Sequence, residues 1–171
     1  MEARSTTTET TAEETLRSRL PNPVELVPEI EDVAGLLYKA IGNRTVPQAT
    51  IGLVHLRAGQ IVGNTYLTIM HSDLLRKGGE SEERIAAVAS WRDAPYFTGA
   101  ERAALALVEA VLQPNPDGER VSDALFAEVS EHYDTKALIT LTVAIGQVNF
   151  FIPLALIGKP LPGTSPVEQW T

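Results

Sequence analysis

The chain has 171 residues, of which 44% are hydrophobic and 21% charged, the balance of one globular domain and not of a disordered chain. It contains no cysteine, which removes disulfides, thiolate metal sites, a cysteine nucleophile and any dithiol redox cycle. Fourteen Lys and Arg against twenty-two Asp and Glu give a formal charge of −8, and no basic run offsets it, so a nucleic-acid-binding surface is not expected.

Residues 1–19 are rich in Thr, Glu and Ser and have almost nothing to bury, so they read as a solvated tail, or as a segment that drapes over a neighbouring subunit. They show neither the apolar core of a signal peptide nor the composition of a mitochondrial presequence, and a cytoplasmic location is expected. Residues 20–28, with prolines at 21, 23 and 28, are expected to be an extended lead-in, because proline disfavours helix at the residue before it. Folded structure is expected from Glu29 to about residue 160, with 161–171 as a C-terminal tail.

From Glu29 the spacing is helical. Ile30, Val33, Leu36, Leu37, Ala40 and Ile41 give one apolar face, ended by Gly42-Asn43. A second helix runs from Pro47 to Val62, and after Gly63-Asn64 a third runs from Thr65 to Lys77. Ser81 opens a helix to about Trp91, and Thr98 and Glu101 form a capping box for another that reaches Leu112. Ser122 caps a helix to His132 and Thr135 caps the last one. The expectation is an all-α domain of about seven helices. Residues 137–158 carry no charge and are long enough for a membrane span. Thr140, Thr142, Gln147, Asn149, Gly146 and Pro153, with a single lysine at each end (Lys136 and Lys159) and so no basic excess on one side to fix a topology, favour instead a buried central helix or a subunit interface, and hence a homo-oligomer and no membrane partner.

Candidate chemistry is sparse. No pair of histidines stands four apart, so no metal site is expected, and there is no nucleophile elbow, P-loop or glycine-rich dinucleotide motif. Asn64, Leu67 and His71 share a helix face, while His55 lies on the preceding helix between Gly52 and Gly59. Taken by itself His71 reads as a hydrogen-bonded structural histidine, and Tyr66 and Trp91 as core or interface aromatics. Gln60 and Asn149 are polar residues on apolar helices and need partners in a pocket or across a subunit contact.

The run Leu56-Arg57-Ala58-Gly59-Gln60-Ile61-Val62-Gly63-Asn64-Thr65-Tyr66-Leu67, with Met70-His71 after it, resembles the signature of the alkylhydroperoxidase-like, carboxymuconolactone decarboxylase family. That signature commonly reads LRASQINGCxxC with a histidine following. Trp91-Arg92-Asp93-Ala94-Pro95-Tyr96-Phe97-Thr98 and Glu101-Arg102-Ala103-Ala104-Leu105-Ala106-Leu107 are similar to the family's AWREAPxFTxxERAALAL. The resemblance covers roughly residues 47–158 and implies an all-α fold assembling as trimers or hexamers.

In the peroxidase branch of that family a glutamate, two cysteines and a histidine form a proton relay around a redox dithiol. The matching positions here are Gly52, Asn64, Leu67 and His71, so only the histidine is kept and thiol peroxidase chemistry is excluded. The family also has cysteine-free branches that use neither metal nor organic cofactor, among them the decarboxylase that names it. The resemblance therefore implies a cofactor-free acid/base enzyme of decarboxylase, isomerase or lyase type on a small organic substrate. His71 would be the acid/base, with Tyr66 and Asn64 as hydrogen-bonding groups, and Gln60, Leu67, Trp91 and Asn149 as further pocket residues. His55 reads either as a second titrating group or as an interface residue, and Asn64 either as a substrate contact or as an N-cap. The alternative is a non-catalytic oligomer with a vestigial site that binds a small ligand or another protein.

Overall fold

The computed structural model describes residues 17–116 and 118–164, and the proposed tails fall largely outside these. The described chain forms eight α-helices and a 3-10 turn, with no strand among the described residues: α1 Pro23–Leu26, α2 Glu29–Ile41, α3 Gln48–Ile61, α4 Thr65–Lys77, α5 Glu82–Ala87, α6 Gly99–Leu112, α7 Asp123–His132 and α8 Thr135–Gly158. The all-α expectation holds.

Most helix starts follow the expected caps. Asn64, Ser81, Thr98 and Ser122 each accept a backbone N–H at the head of α4, α5, α6 and α7, and Thr98 with Glu101 completes a capping box. Three expectations need correction. Residues 20–28 are not wholly extended: Asn22 caps a single helical turn that Pro23 can open, since an N1 proline has no N–H to leave unpaired. The helix expected from Ser81 to Trp91 tightens after Ala87 into a 3-10 turn at Val88–Ser90. The cap of α8 is Asp134, one residue earlier than expected, whose Oδ1 accepts the Ala137 N–H at 2.8 Å.

Ordered structure also begins before Glu29. The Arg19 N–H and the Ser18 hydroxyl both donate to the Gly158 carbonyl, at 2.7 and 3.0 Å, so the start of the described chain satisfies a carbonyl that the end of α8 leaves free.

The layout centres on α3. Ile51, Val54 and Ala58 face a large cluster shared with α4, α6, α7 and α8, while Leu53 and Leu56 face a second cluster of Leu75, Ile85, Val88, Trp91, Phe97 and Leu105. A helix buried on two sides has no clean polar stripe, which is why α3 carries apolar residues almost all round. Helix α8 is long and apolar enough to cross a membrane by length and composition alone. It packs Leu141, Ala144, Val148, Ile152 and Ala155 into the large cluster and leaves Ile139, Phe150, Leu156 and Ile157 exposed. It is therefore a one-sided core helix, and the central helix of the domain is α3.

Candidate functional site

Helices α3 and α4 form an antiparallel hairpin through Val62-Gly63-Asn64, where Gly63 takes a positive φ of 64° that favours glycine. The hairpin is tight because Gly59 has no side chain. A Cβ there would lie 3.1 Å from both the Leu67 Cβ and the Thr68 backbone nitrogen. One turn further down each helix the same register pairs His55 with His71, whose ring centroids are 5.1 Å apart at an interplanar angle of 55°. One turn further again, Gly52 meets Leu75, and the Leu75 Cδ2 lies 2.7 Å from where a Gly52 Cβ would stand. The histidine pair is thus a polar layer between a glycine–leucine contact above and another below. Gly59→Val is expected to lower the unfolding free energy by about 1–3 kcal/mol, because the obstacle is α4 backbone and not a movable side-chain end, as urea denaturation would measure.

Both imidazoles are buried, each 7% exposed. The Nε2 of His55 lies 2.9 Å from the Ala144 carbonyl of α8; a carbonyl only accepts, so the neutral ring carries its proton on Nε2 and leaves Nδ1 as its acceptor. His71 has no hydrogen bond to the protein among the described residues. Burial lowers the His55 pKa to about 4, against the opposing effect of the Ala144 bond. Burial, reinforced by the neighbouring His55, lowers that of His71 to about 3. The pair is neutral at pH 7.

Folded-state pKa values below the unfolded 6.5 mean that the unfolded chain binds more protons in mild acid. Stability is accordingly full above pH 6.5 and falls as the pH drops toward the folded values near 4 and 3. His55→Phe/His71→Phe protein should lose much of the fall in urea midpoint seen between pH 6.5 and 4.5.

The other expected site residues do not all gather here. Leu67 is core, one turn from His71. Asn64 serves as the N-cap of α4, its Oδ1 accepting the Leu67 N–H at 2.9 Å. Tyr66 is buried but lies about 140° around α4 from His71. Burial raises its phenol to about 12, with nearby Tyr38 adding to the shift. Gln60 accepts from Arg57 at 3.3 Å. Asn149 is exposed on α8. Trp91 belongs to the second cluster, where its indole donates to Glu109 at 2.9 Å. Gln147, which the sequence does not single out as a site residue, is 2% exposed, and among the described residues neither its amide nitrogen nor its oxygen has a partner. Helical phase distinguishes the two: residue 147 follows Thr140 and Ala144 on the inward face, whereas 149 follows Ile139 and Thr142 outward.

Among the described residues no group of three or more His, Asp or Glu side chains is placed to hold a metal ion. Two clefts, of about 760 and 430 Å³, lie elsewhere: one between α6, α7 and the Trp91 segment, the other around Thr45, Thr98 and Tyr133.

Residues 30–110 match the family described as the carboxymuconolactone decarboxylase family. An uncharacterised protein of Bacillus subtilis, YdfG, is 32% identical over 126 residues, 73% of this chain and 84% of that one. The chain belongs to the carboxymuconolactone decarboxylase family. A second uncharacterised relative, YnjA of Escherichia coli, is 41% identical over 69 residues, 40% of this chain and 36% of that protein. Among solved structures, an Agrobacterium tumefaciens protein of unknown function, suggested to be the antioxidant defence protein AhpD, superposes with a TM-score of 0.77 at 28% identity, covering 87% of this chain and all of that one. The debrominase Bmp8 shares the fold at a TM-score of 0.73 and 19% identity, covering 88% of this chain and 82% of that one. A cysteine-to-alanine variant of Bmp8 has been solved with 2,3,4-tribromopyrrole. In the present chain the run from Leu56 to His71 lies on the α3–α4 hairpin, where Leu75 packs over Gly52, Asn64 is a helix cap and Leu67 is a core residue.

Proposed function

We propose that this family member is a cofactor-free enzyme that moves a proton on a small organic molecule, of decarboxylase, isomerase or lyase type, through the neutral imidazole of His71. The observation that carries it is the buried pair itself: two imidazoles in van der Waals range, one pinned to the Ala144 carbonyl and the other unbonded. A neutral imidazole accepts a proton at its bare nitrogen and donates from the other. Burial beside His55 weakens the ring as a base and makes its protonated form give the proton back readily, so the reading needs a substrate whose C–H is already acidic, as in a β-keto acid or an enolisable ketone. Of the expected helpers, His55 is the one that touches His71, and it acts on the substrate through that ring. The buried, unpartnered Gln147 amide, one turn along α8 from Ala144, is a further candidate for substrate contact. The same reading takes the protein as a homo-oligomer, trimer or hexamer, in which another copy covers the exposed Ile139, Phe150, Leu156 and Ile157 of α8.

A second reading, a ligand-binding member without catalysis, has its own support, since Leu75 fills the glutamate position and both large clefts lie away from the histidines. Deuterium exchange separates the two. The protein is incubated in D2O with small lactones, β-keto acids and enolisable ketones, and the acidic C–H positions are followed by NMR. Catalysed exchange on at least one class, at a rate flat between pH 5.5 and 8 because the imidazoles stay neutral, is the expected result. Exchange on none of them would overturn the enzyme reading and leave the binding one.

A further inference from the structure

The larger cleft, of about 760 Å³, is lined in part by motif residues that the histidine site does not use: Trp91, Arg92, Arg102 and Ala106. Its walls include Arg92, Arg102 and Arg120, in a chain with only fourteen basic residues and a net charge of −8. Each guanidinium is anchored at one end and leaves donors over. Arg102 spends both Nη1 hydrogens on the Trp91 and Ala94 carbonyls, at 3.0 and 3.1 Å, and one Nη2 hydrogen on the Arg92 carbonyl at 2.6 Å. Its Nε–H and second Nη2–H, the edge that grips a carboxylate side-on, have no partner among the described residues. Arg92 lies 4.2 Å over the Trp91 ring, bonds Glu109 through Nη1 and, among the described residues, has no partner for its other N–H groups, on a side chain that is 64% exposed. Among the described residues Arg120 bonds the Val111 carbonyl alone, at 2.8 Å.

Two carboxylates share the cleft, and neither cancels this. Glu109 is already filled by Trp91, Arg92 and Arg57, and Glu128 is a single charge exposed on α7. Among the described lining residues three guanidiniums stand against two carboxylates, and Arg57, outside the cleft, already neutralises Glu109. Ala106, Ala110 and Leu125 give the same cleft an apolar wall. Backbone carbonyls hold Arg102 in place, so little side-chain freedom is lost when its open edge is occupied.

We propose that this cleft is a second binding site, separate from the histidine pair, for a small organic carboxylate whose charged end meets Arg102, Arg92 and Arg120 and whose hydrocarbon body lies on Leu125 and the alanines of α6. The test is a titration of the full-length protein with sodium benzoate, followed by 1H–15N NMR at the Trp91 indole and the Leu125 amide, with inorganic phosphate and benzyl alcohol as comparison probes. Saturable shifts with benzoate, absent with benzyl alcohol and weakened roughly tenfold in Arg120→Gln, are expected. Arg120 is exposed with one backbone bond, so its replacement leaves the fold intact, and Lys77→Gln on α4 controls for lost charge. Equal shifts with phosphate would overturn the carboxylate assignment. No saturable shift with benzoate, or an unchanged affinity in Arg120→Gln, would overturn the site, and neither outcome bears on exchange at His71.

Discussion

Replacing His71 by alanine is expected to reduce catalysed exchange by about 10²–10⁴-fold, the usual worth of a positioned acid or base. The size follows from isolation: the described residues place no carboxylate against the pair, and no third histidine stands near enough to substitute. A structural loss is separable from a chemical one. Because His71 is buried, neutral and without a hydrogen bond, His71→Phe should fold at least as well at pH 5, where the native ring resists the charge that the unfolded chain takes up. Activity gone, with urea midpoint and oligomeric state kept in His71→Phe, identifies a reacting group. Retained exchange in both variants would remove His71 from the mechanism. His55→Phe has a different expected signature: it removes the like neighbour that helps to depress His71, so the acid limb of the rate profile should move upward in pH.

Much of this arrangement is legible in the sequence. The caps at Asn64, Thr98 and Ser122 follow from residue type, since each side chain meets an unpaired helix N–H by local geometry alone. The histidine pairing was only half legible. Residues 55 and 71 are set opposite one another by the length of the α3–α4 connection and the close approach at Gly59, and that register is a tertiary fact. Trp91 and Asn149 show the limit. A motif residue and a polar residue on an apolar helix are both reasonable pocket candidates, yet one is held by Glu109 on the far side of α3 and the other points away from the core. Gln147 was recoverable from phase once α8 is read as buried on one side and not all round.

The largest expected stability effect is at Glu109, which lies outside the histidine layer. Its side chain, on α6 and 4% exposed, accepts Arg57 Nε at 2.7 Å and the Trp91 indole at 2.9 Å on Oε1, with Arg57 Nη2 in ion-pair contact at 2.7 Å and Arg92 on Oε2. It therefore ties α3, the Trp91 segment and α6 together where the second cluster closes. Glu109→Ala strands a half-buried guanidinium and a buried indole N–H, an uncompensated pairing that costs about 3–5 kcal/mol. At roughly 2–4 °C per kcal/mol for a domain of this size, the calorimetric Tm should fall by about 6–20 °C. Arg57→Met/Glu109→Met should recover much of that, since removing both charges leaves nothing stranded. The acid response gives an independent reading. Burial pushes the Glu109 carboxyl up, but the donors from Trp91, Arg92 and Arg57 together hold it below the ordinary carboxylate value. Its contribution is therefore complete at neutral pH and is lost only as the pH falls through and below the carboxylate range, whereas the histidine pair begins to weaken the fold from pH 6.5. In Glu109→Ala the decline that starts near pH 6.5 should persist and the steeper one at lower pH should shrink; in His55→Phe/His71→Phe the order reverses.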